Sequence, residues 1–347
     1  MKELAILVTN EEDSIYWVKS LKKYFDIRYD VINITFHNWL EQSNNKNYDM
    51  YLLKAPGNTN LYKQMYDERV SILANELDKK IYPPLTEIQI YENKKYLSYW
   101  LKANKIPHPE TNIFYHKSDV VSFLEKSSLP LVGKINIGAS GKGVKILHTM
   151  DEAKSYVKKT FKHGIKPYIG PNFRTASIFK KMKNAYKKKG LLQKRINSYK
   201  ATFSEPQKYV ILQEFIPHTF EWRVVVIGNS YFAHKKVVSG EKASGSLLKD
   251  YGNPPISLLN FMREICLRAG IISASMDIFE TDKGDFLVNE IQTFFGQSDS
   301  YQMKVDGIIG RYKYENEKWI FEQGDFNTNQ CYDLRLTHAL SLLENGK

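Results

Sequence analysis

The stretch SMDIFETDKGDFLVNEIQ, residues 275–292, constrains the fold more than any other part of the chain. Apolar and polar residues alternate on both sides of Asp282-Lys283-Gly284-Asp285. That pattern predicts two antiparallel strands joined by a tight turn. Side chains on a strand repeat every two residues, so Glu290 and Gln292 share a face, with Asp277 opposite them. Two carboxylates and an amide oxygen meeting across a hairpin form a hard, oxygen-rich site. Such donors suit magnesium, above all where phosphate oxygens complete its shell. The alternative is a solvated hairpin carrying ordinary surface acids.

The N-terminal part alternates strand and helix patterns. LAILVT (4–9), Tyr29–Ile34 and Tyr48–Leu53 read as strands. Ile15, Val18, Leu21 and Phe25 fall near helical spacing, as do Val70, Leu73, Ala74 and Leu77. This predicts a small α/β domain with a parallel sheet over residues 1–88, closed by Pro83-Pro84. No G-x-G-x-x-G follows the first strand, which argues against dinucleotide binding.

A helix is predicted from about Asn93 to Asn104, then a strand at Ile113–Tyr115 and a helix at Ser118–Lys126. Residues 129–149, LPLVGKINIGASGKGVKILHT, read as strand, glycine-rich loop, strand. Thr149 and Glu152 form a capping box that opens a helix at 150–161. The loop from Gly138 through Ser140 and Gly141 to Gly143 lets the backbone approach a phosphate and donate N–H groups. It is not a Walker A loop, because Lys142 is followed by glycine rather than Ser or Thr. A flap over phosphates and a plain hairpin turn both fit. Lys134 favours the flap, since a lysine in an apolar strand is costly without an anion.

From Ala153 to Ser204 there are fifteen Lys or Arg and no Asp or Glu, which more than accounts for the net charge of +12. Tyr168, Phe173, Phe179, Tyr186 and Tyr199 lie among them. This Lys-rich segment, about 163–207, suits an acidic macromolecule such as nucleic acid, a smaller acidic ligand, or a solvated excursion. Beyond it, Tyr209–Phe215 reads as a strand. Glu221–Ile227 and Tyr231–Val238 read as a hairpin across Gly228-Asn229, carrying Arg223 and Lys235 or Lys236. A helix at 255–269, a hairpin around Glu315-Asn-Glu and a closing helix from Cys331 to Glu344 complete the chain.

The 347 residues are 42% apolar and 25% charged, enough for two or three globular domains. No run reads as a membrane span or signal peptide. Cys266 and Cys331 have no metal-ligand or C-x-x-C spacing, so a reduced, cytoplasmic setting is expected. Cys266 reads as a small core residue.

Over about residues 90–295 these pieces resemble, in order and spacing, the ATP-grasp superfamily. They are most similar to RimK-type amino-acid ligases, with glutathione synthetase and D-alanine–D-alanine ligase as wider relatives. The resemblance implies an α/β ATP-grasp fold: a small N-terminal domain (1–88) and two α+β lobes (89–207 and 208–347) sandwiching ATP. ENKKYLSYWLKANKIPHPET (92–111) is similar to the family's opening helix, which puts Lys94 at a phosphate-binding lysine, with Asn93 replacing the usual Asp. Lys134 matches the second ATP lysine and Gly138–Gly143 the flap. Gln213, Glu214, Phe215 and Ile216 match the linker that reads adenine. Glu221 and Arg223 resemble the next strand's acid–arginine pair. Lys235 or Lys236 stands near the γ-phosphate, and Asp277 and Glu290 match magnesium ligands. Gln292 stands where the family has Asn, and Thr293-Phe-Phe-Gly-Gln where it has Ser-Pro-Gly. The resemblance implies ATP and one or two Mg2+, with Mn2+ as a substitute. The implied reaction is amide formation between a carboxylate and an amine through an acylphosphate. A same-fold kinase acting on an anionic polyol or sugar, and a nucleotide-binding protein with little turnover, are the alternatives. The oligomeric state stays open, a homodimer included.

Overall fold

The computed structural model describes residues 1–57, 59–137, 143–164, 208–239, 242–243, 248–297 and 299–345. Gly138, Ser140 and Gly141 of the glycine-rich loop lie outside the described residues. So does the Lys-rich segment beyond Gly164. The chain packs as two compact units. One gathers Met1–Pro56, Tyr62–His108 and His218–Lys347; the other gathers Gly57–Leu61 and Pro109–Pro217.

The first unit begins with alternating strands and helices: β1 (Lys2–Val8), α1 (Ile15–Leu21), β2 (Ile27–Asn33), α2 (Trp39–Asn44), β3 (Met50–Leu53), α3 (Asn60–Ser71) and β4 (Ile81–Tyr82). The four strands form a parallel sheet in the order β2-β1-β3-β4. Both faces are covered. Leu4, Ile6 and Val8 pack with Trp17 and Leu21 on one side, and Ala5 and Leu7 with Tyr66 and Val70 on the other. Burial on both faces explains why LAILV is continuously apolar rather than alternating. Two helices follow, α4 (Leu85–Ile90) and α5 (Lys94–Ala103). Asn93 caps α5 by accepting from the Tyr96 N–H at 3.2 Å.

The second unit holds β5 (Thr111–Phe114), α6 (Lys117–Leu124), β6 (Leu131–Lys134), β7 (Val144–Leu147), α7 (Met150–His163) and β8 (Val210–Glu214). Its antiparallel sheet runs β5-β8-β6-β7. Helices α6 and α7 bury Val120, Leu124, Ala153 and Val157 against it. The expected capping box forms: the Thr149 hydroxyl accepts from the Glu152 N–H at 3.2 Å, and the Glu152 carboxylate from the His148 N–H at 2.8 Å.

The first unit's larger sheet contains β9 (Phe220–Ile227), β10 (Ser230–Ser239), β11 (Lys242–Ala243), β12 (Lys249–Asp250), β13 (Ser273–Glu280), β14 (Phe286–Gln292), β15 (Lys304–Val305), β16 (Ile308–Glu315) and β17 (Lys318–Gln323). Its central order is β14-β13-β9-β10-β16-β15. One face carries Trp222, Val224, Ala274, Met276, Ile278 and Val288, covered by α5 and by α8 (Ile256–Ala269), with Cys266 in the packing. The closing helix, α9 (Tyr332–Asn345), packs its Leu336, Ala339, Leu340 and Leu343 with the N-terminal sheet. No helix of the described residues is long and apolar enough to cross a membrane.

Candidate functional site

The face of the larger sheet turned away from α8 carries the charged residues. Period-two alternation on β9 buries Trp222 in the core and turns Glu221 and Arg223 to the other side. On β10, Lys236 stands directly opposite Glu221, and Lys235 opposite Trp222. Asp277 on β13 lies between Arg223 on β9 and Glu290 on β14 in register.

These side chains bond directly. Arg223 donates from Nε to Asp277 Oδ1 at 2.9 Å and from Nη2 to Oδ2 at 3.1 Å, a bidentate pair. Lys236 Nζ donates to Asp277 Oδ2 and to Glu221 Oε2, both at 2.7 Å. Asn289 Nδ2 donates to Glu221 Oε1 at 3.1 Å. Gln292 Oε1 lies 3.5 Å from Arg223 Nη2. Lys236, Glu221 and Asp277 are buried. Burial alone would raise the Asp277 carboxyl, but Arg223 and Lys236 outweigh it and hold it well below the usual carboxylate range. Burial alone would lower Lys236; Asp277 and Glu221 outweigh that and raise it. Asp277, Arg223 and Lys236 are therefore ionised near neutral pH.

Beside it sits a second group. Lys94, the first residue of α5, holds Nζ 3.6 Å from Glu92 Oε2 and 3.7 Å from Glu290 Oε1. Glu92 is buried with φ at 51°, a left-handed conformation that a non-glycine residue adopts at a cost. Burial first, and then the nearby Glu290, push the Glu92 carboxyl up, against the pull of Lys94.

Lys235 does not join the cluster. It lies on the opposite face, its ammonium 4.3 Å from the Phe220 ring centroid and 5.1 Å from that of Trp222. In the second unit, Lys134 ends β6, and the Tyr156 hydroxyl donates to its carbonyl at 3.2 Å. Gln213 is buried and donates from Nε2 to Thr111 Oγ1 at 2.9 Å, which pins β8 to β5. Glu214 is exposed and accepts from the Glu110 N–H at 3.2 Å. Phe215 and Ile216 follow it, partly exposed. Gly143 has φ at 87°, and a Cβ there would strike the Ile135 side chain.

Two members of the site escape a period-two reading. Asn289 reaches Glu221 because the β13–β14 pairing shifts between Asp277 and Ile278, so Asn289 and Glu290 together oppose Asp277. Glu92 carries no sequence signal, because its position depends on a left-handed turn before α5.

The donor chemistry fits magnesium: carboxylate oxygens from Asp277 and Glu290 and amide oxygens from Gln292 and Asn289 lie on one face. The present bonding does not. Both oxygens of Asp277 are engaged by cations, and among the described residues no three His, Cys, Asp or Glu side chains gather closely enough to hold a metal ion. Asp277 reaches a metal only if Lys236 or Arg223 exchanges it for another anion.

No protein-family model matches the sequence, and no curated protein matches it by sequence. Solved structures do match. The RimK-domain ATP-grasp protein from Sphaerobacter thermophilus superimposes with a TM-score of 0.52 at 14% identity, over 83% of this chain and 90% of that one. The fold is ATP-grasp. D-alanine–D-alanine ligase from Bacillus anthracis aligns over 100% of both chains, with a TM-score of 0.55 and 13% identity. N5-carboxyaminoimidazole synthetase from Staphylococcus aureus, complexed with ADP, gives a TM-score of 0.56 at 10% identity, over 97% of this chain and 77% of that one. At such identities the ATP-grasp likeness carries the fold, and chemistry must be argued from the residues.

Proposed function

We propose that this chain is an ATP-dependent carboxylate–amine ligase working through an acylphosphate. The observation that carries the reading is the hydrogen-bonded cluster of Arg223, Asp277, Lys236 and Glu221 on an ATP-grasp sheet. Two cations held in place by carboxylates are preorganised for phosphate, because they need no reorientation when charge develops on it. A nucleotide phosphate is also the natural anion for Lys236 or Arg223 to take in exchange for Asp277. Asp277, Glu290 and Gln292 would hold magnesium, which when bound neutralises phosphate charge and draws the nucleotide to this face. Lys94, Lys134, Gly143 and Gln213 to Ile216 are assigned to the nucleotide.

The substrate's carboxylate oxygen attacks the γ-phosphorus, the bond to the β-phosphate oxygen breaks, and ADP leaves. Arg223 then holds the acylphosphate. The amine adds to the acyl carbon, and Arg223 steadies the tetrahedral oxyanion. The carbon–oxygen bond to phosphate breaks, the amine proton goes to the departing phosphate, and an amide remains. No protein nucleophile takes part. Burial pushes the thiols of Cys266 and Cys331 up, the latter to about 11, so neither is a ready thiolate. Burial, with the Arg223 charge, pushes His234 down to about 3 and keeps it neutral.

Trapping with hydroxylamine tests this without the native amine. A panel of carboxylic acids is incubated with ATP, magnesium and hydroxylamine. The ligase reading expects an acyl hydroxamate formed in step with phosphate release. Transfer to a hydroxyl without phosphate release would mean a kinase instead.

A further inference from the structure

Two cations of the first unit have no part in the cluster above and form no ion pair with an acid among the described residues. Lys54 follows the carboxyl end of β3, where ligands of parallel sheets bind. Its backbone N–H is fixed by the Leu7 carbonyl at 3.1 Å and the Tyr66 hydroxyl at 3.0 Å. Its side chain is partly exposed and rests over Phe294, Nζ 4.7 Å from the ring centroid. Among the described residues no carboxylate lies within ion-pair distance of it. Arg335, on α9, is 1% exposed. It donates from Nη2 to the Thr293 carbonyl at 3.0 Å and lies over Phe295 at 4.1 Å. Among the described residues its Nε and Nη1 have no hydrogen-bond partner.

The two aromatic platforms are consecutive, and they begin two residues after Gln292, within about 7 Å of chain. An anion beside Phe294 is thus held next to the face that carries Glu290. The charged surroundings leave the pair short of negative charge. Burial, and then the Arg335 charge, press the Lys54 ammonium down to about 8, while Asp13 pulls it up. Glu87 also feels Arg335, yet burial drives its carboxyl up to about 7, so it supplies only part of a charge. Two like charges close together, one with two unmet donors, are costly unless an anion arrives.

We propose that Lys54 receives a second anionic group on the carboxylic acid that the ligase activates, so the acceptor carries two negative charges. This rests on the ligase reading. In the assay, the full chain is titrated with ADP and magnesium, and then, at saturating ADP, with malonate, succinate and glutarate in a calorimeter. At least one dicarboxylate is expected to bind saturably, and about tenfold more weakly to Lys54→Met. ADP affinity should stay within about twofold. The melting temperature of Lys54→Met should be unchanged or higher, because an unpaired ammonium has been removed; a purely structural lysine would lower it. Equal dicarboxylate binding by Lys54→Met, or no saturable binding to the ADP-bound wild type, overturns the subsite alone. Failure of ADP to bind, read in the first titration, sinks the ligase reading and the subsite with it.

Discussion

Replacing Lys236 with methionine should destabilise the first unit in a pH-dependent way. Lys236 bridges two buried carboxylates, each at 2.7 Å, and is itself 5% exposed. Methionine fills much of the volume but leaves Glu221 and Asp277 sharing Arg223. Removing one partner from a buried ionic network costs about 3–5 kcal/mol. In the wild type Asp277 is depressed, so its contribution is present above the ordinary carboxylate value and is lost as acid protonates it. Lys236 is raised, so its contribution persists until pH climbs through the folded value. Both are intact between about pH 5 and 9. In the variant a carboxylate lacking its ammonium takes a proton more readily in the folded state. Variant stability therefore falls as pH rises above the unfolded carboxylate value, and the deficit is largest at pH 8 and shrinks toward pH 5. All five tryptophans, Trp17, Trp39, Trp100, Trp222 and Trp319, belong to the first unit, so urea unfolding followed by their fluorescence reads that unit. Adding Glu221→Gln to Lys236→Met should recover part of the loss. A deficit below about 1 kcal/mol, or one equal at pH 5 and pH 8, would refute the network's role.

Glu87 predicts the opposite slope. Its buried carboxyl is raised to about 7, so the folded state holds the proton longer and stability falls between about pH 4.5 and 7. Glu87→Gln should raise stability at pH 8 by at most about 3 kcal/mol and match the wild type near pH 4 in the same urea assay. Lys235, packed over Phe220 and Trp222, should tolerate alanine with turnover changed by no more than about twofold in the hydroxamate assay, whereas Lys236→Met abolishes it.

Much of this was legible in the residues. The hairpin at 275–292, the capped helix after Thr149 and the parallel N-terminal sheet follow from periodicity and turn chemistry. Even the choice between Lys235 and Lys236 could be read: Gly228-Asn229 is a two-residue turn, and counting seven residues outward from it pairs Glu221 with Lys236. Asn289 was not legible, because a bulge breaks the two-residue period that places side chains. Glu92 depends on one left-handed residue. Glu87 sits on a short helix that the double proline hid, and its carboxylate meets the Ile272 and Ser273 N–H groups at 2.5 and 3.0 Å from far along the chain. The influence of the Arg335 charge on Lys54 is likewise long-range in sequence, set by α9 packing onto the N-terminal sheet rather than by any local pattern.

The central claim is that the face bearing Asp277 and Glu290 binds a magnesium nucleotide. Calorimetric titration of ADP, with and without magnesium, into the wild type and Glu290→Gln tests it most directly. Wild-type affinity should rise about tenfold or more with magnesium, and Glu290→Gln should lose that gain while keeping its magnesium-free affinity. An unchanged magnesium gain in Glu290→Gln, or no gain in the wild type, would contradict the account.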